Sequence, residues 1–369
     1  MSTIMLTPGR LLSMSNGIRC MLLRGGTSKG AYFLRDELPT NPGERNEMLL
    51  QLMGTPDSRQ IDGIGGAHPL TSKVALVGPC DNPRADVEYL FLQVGVNKST
   101  VSDQQNCGNL LAGVAPFAIE RGLVEATKNP ASVRVLMLNT DSIATASCQV
   151  ANGQPIYRGD TTISGVPGSA APILLDFEDI AGRSCGALLP TGNRVDEIHG
   201  VASTLVDNGM PVVVMQAEAM GITGTESCAE LEANAALCSN LEDIRLLAGP
   251  MMNLGDVAET TVPKLIMVSR PTAGGSISTR TFIPHRCHDA IGVLGAVSLA
   301  TAALMPGTPA NEVLVDGADG AVKIEHPTGS FTAVVGLTLN SSGRPVVERA
   351  SIIRTARKLM DGHVFPREY

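Results

Sequence analysis

Two segments of this 369-residue chain are apolar almost all the way round a helical wheel, and each follows a cysteine. The first, Leu110–Arg121, comes after Asn106-Cys107-Gly108-Asn109. The second, Asp289–Leu304, comes after Pro284-His285-Arg286-Cys287-His288. A helix without a polar face cannot rest on a surface, so other elements must wrap it. One such helix in each half implies two wrapped cores and a weak internal repeat of the kind duplication leaves. The length agrees, because a chain of this size exceeds what one core organises. Pro116 predicts a kink or a late start in the first helix, and Gly122 predicts its stop.

The material to wrap those helices is mostly strand. Arg19–Leu34 reads as two short strands around the polar loop Arg24-Gly25-Gly26-Thr27-Ser28-Lys29-Gly30. Thr71–Val77, Asp86–Val96, Val133–Leu138, Ile143–Val150, Thr161–Ile163, Pro211–Gln216, Ser276–Phe282, Lys323–Phe331 and Ser351–Lys358 read as further strands. Pro42–Met53 and Glu230–Leu247 read as helices, and Asp62–Pro69 as a glycine-rich loop.

Charge and composition exclude several roles. The formal net charge is −8 with no long basic run, and aromatics are 3%, which disfavours nucleic-acid binding. A locally positive pocket for an anionic small molecule remains compatible with that balance. No segment reads as membrane-spanning, and the first twenty residues lack the apolar core and cleavage site of a signal peptide. Leu6–Asn16 reads as a loose leader of unknown role. The eight cysteines form no CxxC pair, so reduced thiols and a cytoplasmic location are expected, with most cysteines acting as small buried hydrophobes. A homodimer is the base-rate expectation.

Each candidate for chemistry has a plainer alternative. A thiol at a helix start, as Cys107 is read, faces unpaired backbone N–H groups and the positive dipole end, which stabilise negative charge, and Gly108 admits close approach of a ligand. The alternative is a buried hydrophobe. Cys287 reads the same way, with His285 and His288 beside it. Neighbouring residues at a helix start seldom converge on one ion, and no HExxH or paired CxxC supports one, so no metal is expected. The Arg24–Gly30 loop combines cations, hydroxyls and backbone N–H groups that could cradle a carboxylate or phosphate; otherwise it is a mobile turn. It is not a P-loop, because Ser28 precedes Lys29, and Gly63-Ile64-Gly65-Gly66 fails as a dinucleotide fingerprint, because His68 stands where the last glycine belongs. Ser72-Lys73 opens an apolar strand. Desolvation favours the neutral amine of a lysine, the form that acts as a base; the alternative is a snorkelling strand end.

Taken in order, "RGGTSKG" (Arg24–Gly30), "DGIGG…LTSK" (Asp62–Gly66, Leu70–Lys73), "NCGN" (Asn106–Asn109) and "PHRCH" (Pro284–His288) resemble the PrpF-like isomerases, over nearly the whole chain. Arg59–Lys73 and the run from Pro284 through Ala302 look most similar to the members acting on 4-oxalomesaconate in gallate, protocatechuate and lignin-aromatic breakdown. The 2-methylaconitate cis–trans isomerases of propionate metabolism are the near relatives. The resemblance implies an α+β, diaminopimelate-epimerase-like fold. It has two similar lobes, each a rolled, mostly antiparallel sheet around a central buried helix, with the active site in the cleft between them. The lobes are expected at residues 1–189 and 190–369, the last strand being a candidate to return to the first lobe.

The resemblance also implies chemistry: a cofactor-independent isomerase or tautomerase acting on an unsaturated di- or tricarboxylate. Lys73 is implied as the acid/base and Cys107 as its assistant. Arg24, Ser28, Lys29, Gly65, Gly66, Ser72, Asn106, Gly108 and His288 are implied as binding residues. Cys287 is left open between a second proton carrier and a binding position. A two-thiol amino-acid racemase would need both Cys107 and Cys287, and a non-catalytic anion-binding protein would need neither.

Overall fold

The computed structural model describes residues 17–103 and 106–367; the leader expected at Leu6–Asn16 lies outside them. β1 (Ile18–Gly25) and β2 (Ser28–Leu34) form a hairpin turned by Gly26 at φ 52°. Helix α1 (Pro42–Met53) follows. The Asn41 side chain accepts from the N–H groups of Gly43 and Glu44, Pro42 opens the first turn, and Gly54 ends it in the left-handed region. Next come β3 (Lys73–Pro79), β4 (Val87–Val94) and the short β5 (Val101–Ser102). The central helix of this half consists of α2 (Gly108–Leu111) and α3 (Val114–Glu120). After it run β6 (Ala131–Met137), β7 (Ser142–Cys148), the small pair β8 (Val150–Ala151) and β9 (Gln154–Pro155), and β10 (Pro172–Phe177).

The second half begins with β11 (Asp196–Ile198), β12 (Val201–Asp207) and β13 (Pro211–Gln216). Then come α4 (Cys228–Ala233), α5 (Ala235–Met251), β14 (Lys264–Ser269), β15 (Ile277–Phe282), the central helix α6 (Val293–Leu304) and α7 (Pro309–Val313). It ends with β16 (Ala321–His326), β17 (Gly329–Leu339) and β18 (Pro345–Val364).

Hydrogen bonding runs β1-β2-β3-β4-β6-β7-β10-β18, and β18 pairs back with β1, closing eight strands around α2 and α3. From β18 the ladder continues β17-β16-β15-β14-β13-β12-β11 as a second roll, around α6. The pairing pattern repeats. From β1 to β10 it is antiparallel, parallel, antiparallel, parallel, antiparallel, antiparallel, and from β12 to β18 it is the same. The central helix enters after the corresponding strand each time. β18 belongs to both rolls: Pro345–Ile352 pair with β17, Ser351–Thr355 with β10, and Ala356–Val364 with β1.

The core follows from this wrapping. Val114–Ile119 of α3 and Gly295–Ala303 of α6 are buried on every side. The small residues of α6 let strands close around it. A second apolar layer lies between α1 and the outer face of the first roll, and a third between α4, α5 and the second. Strand β3 is therefore apolar without alternation, because both its faces are covered.

The first central helix breaks at Ala112–Gly113, the late start of regular helix expected from Pro116, while several other expectations need correction. Pro116 has no N–H to give the Ala112 carbonyl and its ring crowds that turn, so regular helix restarts with Pro116 in its first turn. The second central helix does not begin at Asp289. Residues 283–286 reverse tightly, Cys287 bridges back to Phe282, and His288 N–H donates to the Thr281 carbonyl, so the chain is still extended there. Helix starts only after Gly292, and Cys287 is not at its entrance. Glu230–Leu247 is two helices, split where the Asn234 side chain caps the Leu237 N–H. Lys323–Phe331 is two strands, since Gly329 turns the chain between β16 and β17. Thr161–Ile163 is no strand; it holds one bridge, Thr161 to Ala170.

Candidate active site in the cleft between the rolls

The two central helices meet end to end. A β-carbon placed on Gly108, the first residue of α2, would lie 3.4 Å from Val293 Cγ1, and Val293 is the first residue of α6. Cys107 is the N-cap of α2; its counterpart on α6 is Gly292, not Cys287. A side chain at Gly292 would meet open space.

Lys73 and Cys107 belong to the inner face of the first roll. Lys73 opens β3 on the side shared with Ala75 and Val77. Its ammonium lies 4.8 Å from the Phe91 ring centroid and donates to Gln93 Oε1 at 2.7 Å. One pleat further along β4, the Tyr89 hydroxyl donates to the Cys107 carbonyl at 3.4 Å. Lys73 and Cys107 are 7% and 9% exposed, and neither reaches the walls of the cavities beside them.

The Arg24–Gly30 loop is built in rather than mobile. β-carbons on Gly25 and Gly26 would fall 2.2 Å from the Asn109 carbonyl oxygen and 2.1 Å from Asn109 Oδ1, so only glycine lets the loop lie against α2. Asn109 Nδ2 donates to Thr27 Oγ1 at 3.0 Å. Arg24 staples the loop to β18 through the Gly26 carbonyl and the carbonyl and hydroxyl of Thr355. Burial, and then the charge of Arg357, lower its pKa.

Two cavities adjoin this loop and share Thr27, Ile163 and Gly165. One, of about 710 Å³, lies between the rolls and is walled by Asn109, His288, Val293, His326 and Arg354 among others. The other, of about 670 Å³, is strongly cationic, with Arg24, Lys29, Arg158, Arg357 and Lys358 on its wall beside Ser28. Lys358 is ion-paired with Glu120. This suits a ligand with several negative charges.

The remaining sequence candidates fall elsewhere. Gly65 and Gly66 pack against Gln60 and Thr71, where β-carbons would lie within 2.3 Å of side-chain oxygens, and neither lines a cavity. The Ser72 hydroxyl is fully buried and donates to Gln60 Oε1 at 2.6 Å. Asn106 donates to Thr140 Oγ1 at 2.6 Å, leaving its own buried Oδ1 unpartnered. Cys287 lies in the layer beneath α4 and α5, away from both cavities, its N–H donating to Glu232 Oε1. Its thiol is pushed up to about 12 by burial and by neighbouring Cys228. His288 does line the inter-roll cavity, and its Nδ1 accepts from the Ala290 N–H. Among the described residues, no three His, Cys, Asp or Glu gather as metal ligands, and no helix is long and apolar enough to cross a membrane.

Sequence reasoning missed Arg354, Asn109 as a wall residue, and Lys264. The one signal for Arg354 was a cation inside the apolar run Ile352–Ala356. Lys264 was legible only through the repeat. It opens β14, which is parallel to β13, as Lys73 opens β3, which is parallel to β2. Burial lowers the Lys264 pKa, and its charge helps lower that of His288.

Two rolls, each wrapped around a buried helix, with the starts of both helices meeting at one cleft, define a two-lobed α+β protein with a candidate site between its lobes. The chain belongs to the PrpF family: residues 15–367 match the family described as PrpF protein. It is 56% identical over 348 residues to the (4E)-oxalomesaconate Delta-isomerase of a Novosphingobium species, covering 94% of this chain and 96% of that protein. It is 53% identical over 349 residues to the 4-oxalomesaconate tautomerase of Pseudomonas putida, covering 94% and 95%. Among solved structures, that of a methylitaconate-delta-isomerase superposes with a TM-score of 0.85 at 35% identity, covering 95% of each chain.

Proposed function

We propose that this isomerase acts on 4-oxalomesaconate, moving a proton on the unsaturated tricarboxylate without a cofactor. The observation that carries the reading is the buried Lys73–Gln93 pair on the inner face of the roll that also seats Cys107 at the helix end, next to a cationic cleft. Relatives over nearly the whole length whose names carry that substrate support it.

The proton to be removed lies on carbon between electron-withdrawing groups. The Lys73 amine takes it, and the electron pair delocalises as a dienolate onto the carbonyl and carboxylate oxygens. The Lys73 ammonium returns a proton at the far end of the conjugated system, or the Cys107 thiol gives one there and the Lys73 ammonium reprotonates its thiolate; by either route both groups end as they began. Backbone N–H groups at the start of α2 face the developing charge. Arg24, Ser28 and Lys29 hold the outlying carboxylates. Every step uses groups of the protein and substrate alone.

Proton NMR of the protein in D2O, with 4-oxalomesaconate and 2-methylaconitate in separate tubes, tests this. Isomerisation with deuterium uptake in oxalomesaconate is the expected result. Faster turnover of methylaconitate would move the substrate while keeping the proton transfer. No exchange into either would overturn the reading.

A further inference from the structure

We propose that Arg354, with Asn109 and Thr27 beside it, is the fixed carboxylate subsite of the inter-roll cavity, gripping one carboxylate of the substrate; this rests on the polycarboxylate reading above. Arg354 lies on β18 where the strand leaves β17 and is about to join β1, so its side chain enters the space between the rolls. It is 8% exposed.

Burying a guanidinium costs several kcal/mol unless its donors find partners. Two other buried arginines show what a structural solution looks like. Arg245 places Nε and one terminal nitrogen on the Glu242 carboxylate and the other on the Val257 carbonyl. Arg280 donates to the carbonyls of Glu226 and Thr279. Arg354 has only the carbonyl of its neighbour Ile353 at 3.1 Å, its Nε is buried without a partner, and no ion pair reaches it among the described residues.

The side chain is nevertheless held. Its guanidinium carbon stands 3.9 Å from the centroid of Phe331, from the second roll, and a β-carbon on Gly26 of the first roll would lie 3.2 Å from its Cδ. A planar fork fixed from both sides, with donors unspent, is prepared for bidentate binding of a carboxylate. Burial pulls its pKa down to about 10, so it keeps its charge at neutral pH, and Cys107 is near enough to act on it electrostatically. Asn109 and Thr27 share this wall, and the Asn109 Nδ2 donates to Thr27 Oγ1, leaving the hydroxyl proton of Thr27 to point to a carboxylate. The subsite thus joins the cavity to the end of α2 that carries Cys107.

The test uses the full chain with Arg354→Met and Arg354→Lys, and tricarballylate, a saturated tricarboxylate that cannot isomerise, as calorimetric probe. Arg354→Met is expected to weaken tricarballylate binding roughly thirtyfold, the loss of one charge-assisted pair. Arg354→Lys, which keeps the charge without the fork, is expected to fall between it and wild type. The ligand-free Met variant should melt no lower than wild type, because it gives up one hydrogen bond to a neighbouring carbonyl and strands no charge; a structural arginine would lower it. Tricarballylate binding within twofold of wild type in either variant would overturn the subsite. Turnover of 4-oxalomesaconate is read separately. Wild type that binds tricarballylate through Arg354 but leaves oxalomesaconate unchanged sinks the proposed reaction and supports the subsite. Full turnover in Arg354→Met sinks the subsite alone.

Discussion

Gly108 and Val293 are each the first residue of a central helix, one from each roll, and a side chain on Gly108 would meet Val293 at van der Waals distance. This approach brings together the starts of the two central helices. The place where Cys107 caps its helix is thereby fixed against the second roll rather than left facing solvent. Gly108→Leu is expected to wedge the ends apart, with secondary structure unchanged by circular dichroism and kcat/KM lowered at least about tenfold, the scale on which misplacement of about an ångström acts. Wild-type kinetics in that variant would mean that the approach of the two ends is immaterial to turnover.

The division of labour between thiols is open to direct comparison. Cys287 lies off the cavities, and Gly292 holds the position that matches Cys107. Lys73→Met should cut turnover by about 10²–10⁴, the usual worth of a general base. Cys107→Ala should lose activity clearly, and Cys287→Ala should stay within about threefold of wild type. Equal, severe losses in both cysteine variants would favour a two-thiol mechanism instead.

Acid should weaken the fold through its cleft histidines. Burial is the first cause lowering the pKa of both His288 and His326; the Lys264 charge adds to it at His288, and His288 itself adds to it at His326. A depressed folded value means that both states are unprotonated above about pH 6.5, where stability is full. Below that the unfolded chain binds protons first, so stability falls with pH until the folded values are passed. Asp207, whose pKa burial raises, titrates with the opposite sign. The difference between wild type and His288→Gln in melting temperature from about pH 7.5 to 5 therefore isolates the imidazole, and the variant should show the flatter acid limb.

Arg245 should behave as the reverse of Arg354. It is fully buried and satisfied by Glu242 and the carbonyls of Val257, Ala258 and Thr260. Arg245→Met strands the Glu242 charge and should cost about 3–5 kcal/mol in urea unfolding, with the remaining folded protein still active. A loss under about 1 kcal/mol would mean that the pair is only a surface interaction.

How much of this the sequence disclosed depended on the range of the interaction. Pro42–Met53 was legible to the residue because its cap, its proline and its terminal glycine are all local. The wrapped character of α6 was legible because an all-apolar helix admits one environment. Cys287 was misread because what keeps it extended is its bridge to Phe282 and the Glu232 carboxylate, neither of which its neighbours announce. Strands β10, β12 and β14 were overlooked as short apolar runs between turns, and they acquire strand character only from their partners. The motifs around Arg24 and Cys107 were legible as local patterns, whereas Arg354 was missed because its place on the cavity wall is set only where the two rolls converge.

The strand shared by both rolls sets an order on synthesis. The first roll gains its eighth stave from Ser351–Val364, which leave the ribosome only after every other strand of the second roll. Until then β1 and β10 are unpaired edges, and unpaired edges are adhesive. The half made first is thus the half completed last. A nascent chain of this kind has to shelter two exposed borders through the whole manufacture of its other half, so a pause late in translation should be more hazardous to it than one early on.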